Sequence, residues 1–155
     1  DRSVSRGLGD VYKRQLTIYG EGALRKDYEM QIQELGLGGS VKLPGFASNL
    51  PEEINKAAMY ISTSNHEGIS NSMLEALGMG IPTIVTDCPV GGSKMFVHTG
   101  DNGVLIQMEN KNDLVSAMTL IATNSRYVKH ISNNAIKIRE QLAAPNICQK
   151  WLQLL

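Results

Sequence analysis

Along most of this chain, short apolar runs rich in β-branched residues alternate with stretches whose apolar residues recur every three or four positions. Leu16-Thr17-Ile18-Tyr19 is a strand-like run that stops at Gly20-Glu21-Gly22. Leu24, Tyr28, Ile32 and Leu35 then fall at helical spacing, and Gly36 closes them. Val41-Lys42-Leu43 reads as a second strand broken by Pro44-Gly45, and Asn49 with Glu52 three residues on opens a helix to about Ala58. Met59-Tyr60-Ile61-Ser62 is a third strand, followed by a polar loop over residues 63–70 and a helix over residues 71–77 that ends at Gly78-Met79-Gly80. Residues 81–86 form a fourth strand, with Pro82 tolerated at its start, and residues 103–106 a fifth. Amphipathic helices are expected over residues 112–123, 126–142 and 146–155. Strands separated by helices predict right-handed βαβ units and an α/β fold with a doubly wound parallel sheet.

Residues 1–15 (DRSVSRGLGDVYKRQ) follow neither period. They are read as a non-native or disordered leader, similar to translated sequencing-adapter text ahead of a truncated reading frame, with a native mobile tail as the alternative. The lobe proper is then residues 16–155. Its charge adds no partner: 15 basic residues balance 15 acidic ones, which gives no argument for a nucleic-acid groove or a polybasic membrane patch. A hydrophobic share of 42% with 19% charged residues excludes a disordered or fibrous chain. No apolar run approaches the roughly 20 residues of a membrane helix. Cys88 and Cys148 have neither metal-ligand spacing nor the numbers for a disulfide framework, so a cytoplasmic location is expected, with no bound metal.

Ligands of open parallel sheets sit outside the carboxyl ends of the strands, which directs attention to the loops after Tyr19, Leu43, Ile61, Thr86 and Ile106. The densest in polar groups joins the third strand to the helix beginning near Ser70. Free amides of Ser70, Asn71 and Ser72 would point out of that helix start, where the helix dipole favours an anion by roughly 0.3–2 kcal/mol. Glu75 lies one turn below Asn71 on the same face, and Glu67 precedes the helix beside Gly68. Two carboxylates around a phosphate-friendly helix start suit a nucleotide sugar, whose hydroxyls need acceptors; each such charged pairing is worth on the order of 1.5–3 kcal/mol. His66 reads as a loop residue with a possible donor-site contact, His98 and His130 as surface residues, and Cys88 as a small turn residue rather than a nucleophile. Met73, Met79, Met95 and Met118 read as core filler.

Glu67-Gly68 followed by Glu75-Ala76, with Gly80-Ile81-Pro82 and Thr86-Asp87 downstream, resembles the E-x7-E signature of the retaining family 4 glycosyltransferases. Gly20-Glu21-Gly22, the VKLPGF run ending at Phe46, Cys88-Pro89-Val90-Gly91-Gly92 and Asp101-Asn102-Gly103-Val104-Leu105 resemble further blocks of that family in family order, so the likeness covers about residues 16–123. It implies the Rossmann-like, donor-binding C-terminal lobe of a two-lobed GT-B fold, here lacking its first central strand. By the same resemblance Glu75 binds the ribose, Glu67 is the catalytic-site carboxylate at the transferred sugar, and the amides of Asn71 and Ser72 form the diphosphate cradle; Gly68 and Ser70 are expected as further donor-binding residues. Gly45 and Phe46 lie beside the nucleobase, and Gly20 and Gly22 let backbone approach the nucleotide. Where many members carry a glutamate after the glycine pair, this chain has Ser93-Lys94-Met95, and Lys94 adds positive charge near a phosphate.

The resemblance further implies no cofactor. The donor substrate is a nucleoside-diphosphate sugar, expected as a UDP-sugar, and a glycan or lipid-linked acceptor is held by an N-terminal lobe absent from this sequence. The parent enzyme would be peripheral on the inner face of the membrane, and the isolated chain inactive in transfer. The alternatives are a nucleotide-sugar epimerase lobe, which needs dedicated acid and base carboxylates, and a non-catalytic nucleotide-binding module. In a sheet of order 3-2-1-4-5-6 the first strand is central. Its absence makes residues 16–19 and 59–62 the expected free edges.

Overall fold

A computed structural model of the chain describes residues 14–154, so most of the stretch read as a leader, residues 1–13, lies outside the described residues. The described residues form two compact units, residues 14–49 and 50–154.

The first unit is β1 (Leu16–Tyr19), α1 (Arg25–Glu34) and β2 (Val41–Gly45). The strands are parallel, with Leu16 opposite Val41 and Tyr19 opposite Gly45. Gly36, at φ +65°, ends α1 as a Schellman motif: its N–H donates to the Gln33 carbonyl (3.0 Å) and that of Leu37 to Ile32 (2.9 Å). The apolar stripe expected on α1 is not buried. Leu24, Tyr28 and Leu35 are exposed, and the helix holds no buried residue, because a sheet of two short strands offers little surface to cover it.

The second unit contains α2 (Leu50–Lys56), β3 (Tyr60–Ser62), α3 (Asn71–Gly78), β4 (Thr83–Thr86), β5 (Val104–Ile106), α4 (Lys111–Thr123), α5 (Ser125–Ala135), α6 (Ile138–Gln141) and α7 (Ala144–Leu152). Its three strands are parallel in the order β3-β4-β5. Successive residues of β4 point to opposite faces. Val85 joins Met73, Leu77, Val97, Ala135 and Ile138, while Ile84 joins Val104, Ile106, Ala117, Ile121 and Ile131. Each fully buried aliphatic side chain of this kind stabilises the fold by about 1.5–3 kcal/mol.

The parallel α/β architecture is as the pattern predicts, and among the described residues β1 pairs only with β2, and β3 only with β4. The helix expected over residues 126–142 is interrupted. Lys137, Arg139 and Glu140 donate to carbonyls three residues back, a tightened turn that separates α5 from α6. That turn seats Ile136 against Gly80, where a Cβ would lie 2.9 Å from the Ile136 side chain, and lets Arg139 Nε donate to the Gly78 carbonyl. Met95 is not core filler: it ends the one-turn 3-10 helix Ser93–Met95, which buries Ser93 and leaves Met95 64% exposed.

Candidate functional site

The start of α3 is built by hydroxyl groups. Ser70 sits outside the helix in an extended conformation, and its Oγ accepts from the Met73 N–H at 3.4 Å. The Ser70 and Ser72 hydroxyls are 3.1 Å apart, and Ser72 is joined in turn to the Tyr60 hydroxyl of β3 at 2.8 Å. Met73 is therefore capped, whereas Asn71 and Ser72, at the first two helical positions, have no carbonyl a turn earlier to receive their N–H groups. Met73, Ala76 and Leu77 face the core; Asn71 and Glu75 are exposed. Glu67 is half-buried in the preceding loop. Neither the Glu67 nor the Glu75 carboxylate has a hydrogen bond or ion pair among the described residues, unlike those of Glu21, Glu29, Glu53 and Glu109.

Three contacts that periodicity does not reveal hold the loop over residues 63–70. The Thr86 hydroxyl donates to the Ser64 carbonyl, and the buried Cys88 thiol to the Glu67 carbonyl at 3.4 Å. Gly92 packs so closely on Gly68 that an added Cβ would overlap the Gly68 carbonyl. The loop after β4 is thus a seat for the loop after β3. Cys88 is a buried turn residue with a structural bond, and Lys94, placed by sequence near a phosphate, pairs with Asp87 at 3.3 Å. His66, His98 and His130 are exposed. Among the described residues no group of three or more His, Cys, Asp or Glu side chains is arranged to hold a metal ion.

Within the first unit, Gly20, Gly22, Gly45 and Phe46 gather at the carboxyl ends of β1 and β2. The Gly20 N–H donates to the Gly45 carbonyl at 2.8 Å. Arg25, not singled out by sequence, organises this end: it donates to Glu21 (2.6 Å), to Glu29 (2.8 Å) and to the Leu43 carbonyl (2.8 Å). Its i, i+4 spacing from Glu21 and Glu29 was the available signal. Gly45 has φ +85°, a left-handed conformation that favours glycine, and a Cβ there would lie 2.5 Å from the Glu21 carboxylate, which would have to shift. Phe46 is 80% exposed.

The family model for "Glycosyl transferases group 1" matches residues 6–138. The chain belongs to this family. Among relatives of the group, poly(glycerol-phosphate) alpha-glucosyltransferase of Bacillus subtilis is 30% identical over 97% of this chain and 22% of its own. Poly(ribitol-phosphate) alpha-N-acetylglucosaminyltransferase of Staphylococcus aureus is 29% identical over 88% and 28%. The chain thus spans about a quarter of the length of these curated relatives. S. aureus TarM, solved with UDP, Fondaparinux and alpha-GlcNAc-glycerol, superposes with a TM-score of 0.81 at 28% identity, over 90% of this chain and 28% of that one. HepE of Anabaena, at 23% identity over 92% and 42%, has a TM-score of 0.80 and shares the fold. No helix among the described residues is long and apolar enough to cross a membrane.

Proposed function

We propose that this chain is the donor-binding part of a retaining glycosyltransferase that moves a sugar from a UDP-sugar to a glycan or lipid-linked acceptor. The observation that carries the reading is the α3 start: two helix amides without intrahelical partners, bracketed by two carboxylates with none. The Asn71 and Ser72 N–H groups take the diphosphate oxygens, aided by the positive end of the helix. Glu75, one turn below, accepts the ribose hydroxyls. Glu67 accepts hydroxyls of the transferred sugar, and Gly68 and Ser70 keep the loop close to the ligand. Departure of the diphosphate is assisted by fixed backbone dipoles rather than by a resident metal. The group-1 family supports transfer from a nucleotide sugar, and the UDP bound in TarM supports uridine as the base.

Calorimetry of the chain with UDP, UDP-glucose and UDP-N-acetylglucosamine tests the donor site, and binding of none of them overturns it. In the full-length enzyme, Glu75→Ala is expected to cost about 1.5–3 kcal/mol in donor affinity or transition-state stabilisation, read from kcat/KM. Unchanged turnover and binding would remove Glu75 from the site.

A further inference from the structure

Among the described residues, Glu109 is the one residue other than glycine with a positive φ, at +57°. It lies in the turn between β5 and α4, where the Asn110 N–H donates to the Gln107 carbonyl (3.4 Å) and the Asn110 side chain caps α4. In that left-handed region a Cβ crowds the following carbonyl, and glycine is the unstrained occupant. Glu109 is exposed, so no burial offsets the strain. What its side chain does is accept a hydrogen bond from Asn65 Nδ2 at 3.2 Å, across 44 positions of sequence. Exposed contacts of this kind add little stability, and strained backbone that adds no stability is characteristic of functional positions.

Asn65 stands directly before His66 and Glu67, in the loop whose Ser64 and Glu67 carbonyls are held by Thr86 and Cys88. The end of β4 and the loop after it therefore fix this backbone at two points, Thr86 and Cys88, and Glu109 fixes the side chain between them from the loop after β5. We infer that Glu109 is a positioning residue: through Asn65 it holds the loop that carries Glu67, and so governs affinity for the sugar moiety of the donor without touching the nucleotide. This rests on the donor-site reading above.

The test compares the unaltered chain with Glu109→Gly, Glu109→Gln and Asn65→Ala by thermal melting, by hydrogen–deuterium exchange of peptides covering residues 63–70, and by calorimetry with UDP and UDP-N-acetylglucosamine. Glu109→Gly is expected to melt at the same temperature or up to about 3 °C higher, since strain is relieved. Exchange in the loop should quicken by about 3–10-fold, with UDP-sugar affinity falling by a similar factor and UDP affinity held within about twofold. Asn65→Ala should reproduce the last three effects, and Glu109→Gln, which keeps an acceptor of the same reach, should stay near the unaltered chain. A lower melting point for Glu109→Gly, or unchanged exchange in residues 63–70, overturns the inference. So does an equal loss for UDP and UDP-sugar, which leaves the donor-site reading standing. If the unaltered chain binds neither ligand, the donor-site reading fails and the role of Glu109 with it.

Discussion

β1 and β4 are both four residues long and similar in make-up, LTIY and TIVT, yet every residue of β4 is buried and none of β1 is. The difference lies in what surrounds them. β4 has a strand on each side and hydrophobic clusters on both faces, while β1 has one strand partner among the described residues, and Leu16 and Ile18 each remain 42% exposed. Burial belongs to the neighbourhood, not to the segment. The two units are accordingly held by different forces: aliphatic packing around β4, and around β1 the directed contacts of Arg25 and the Schellman turn at Gly36.

Truncating each strand tests that contrast most strongly. Ile84→Ala in β4 is expected to cost about 2–5 kcal/mol in chemical denaturation, because it leaves a cavity in a packed core. Ile18→Ala in β1 should cost under about 1 kcal/mol. Equal losses would break the comparison. The glycine contacts give the next largest effects. Gly92→Ala pushes a methyl into the Gly68 backbone and should destabilise by about 1–3 kcal/mol, with weaker nucleotide binding as the loop shifts. Gly45→Ala should cost about 1–2 kcal/mol from its left-handed φ, and Glu21→Ala in the same chain should recover the steric part alone. Smallest is Arg25→Ala, at about 1 kcal/mol, because its ion pairs with Glu21 and Glu29 are solvent-exposed. Its signature is faster amide exchange in β2, with a difference from the unaltered chain that narrows in about 1 M salt. A salt-independent effect would mean that the Leu43 carbonyl bond, not the ion pairs, is what matters.

Local order was legible because it is encoded within a turn or two of sequence. Apolar runs located the five strands of the described residues, Gly36 and Gly80 marked helix ends that are both Schellman motifs, and Ser70 fell at the start of α3. Contacts between distant segments were not. Thr86 and Cys88 reach residues 22 and 21 positions earlier, and Asn65 reaches Glu109 across 44, with no periodicity to announce them. The break between α5 and α6 escaped for the same reason: Ile131, Ala135 and Ile138 continue a helical stripe, and it is the packing of Ile136 on Gly80 that accompanies the break. The carboxylates of Glu67 and Glu75 are candidates singled out by motif spacing, but the seat beneath Glu67 became visible only with the loops in place.

The bond from Cys88 to the Glu67 carbonyl also divides the thiols of this chain by reactivity. Cys148 faces solvent on α7, whereas Cys88 is buried with its sulfur turned toward the loop over residues 63–70. A maleimide added to the folded protein therefore meets Cys148 at once and Cys88 only when that loop lifts. The slow phase of the labelling reaction is a clock, set by nature beside Glu67, that times each opening of the loop without any engineered probe.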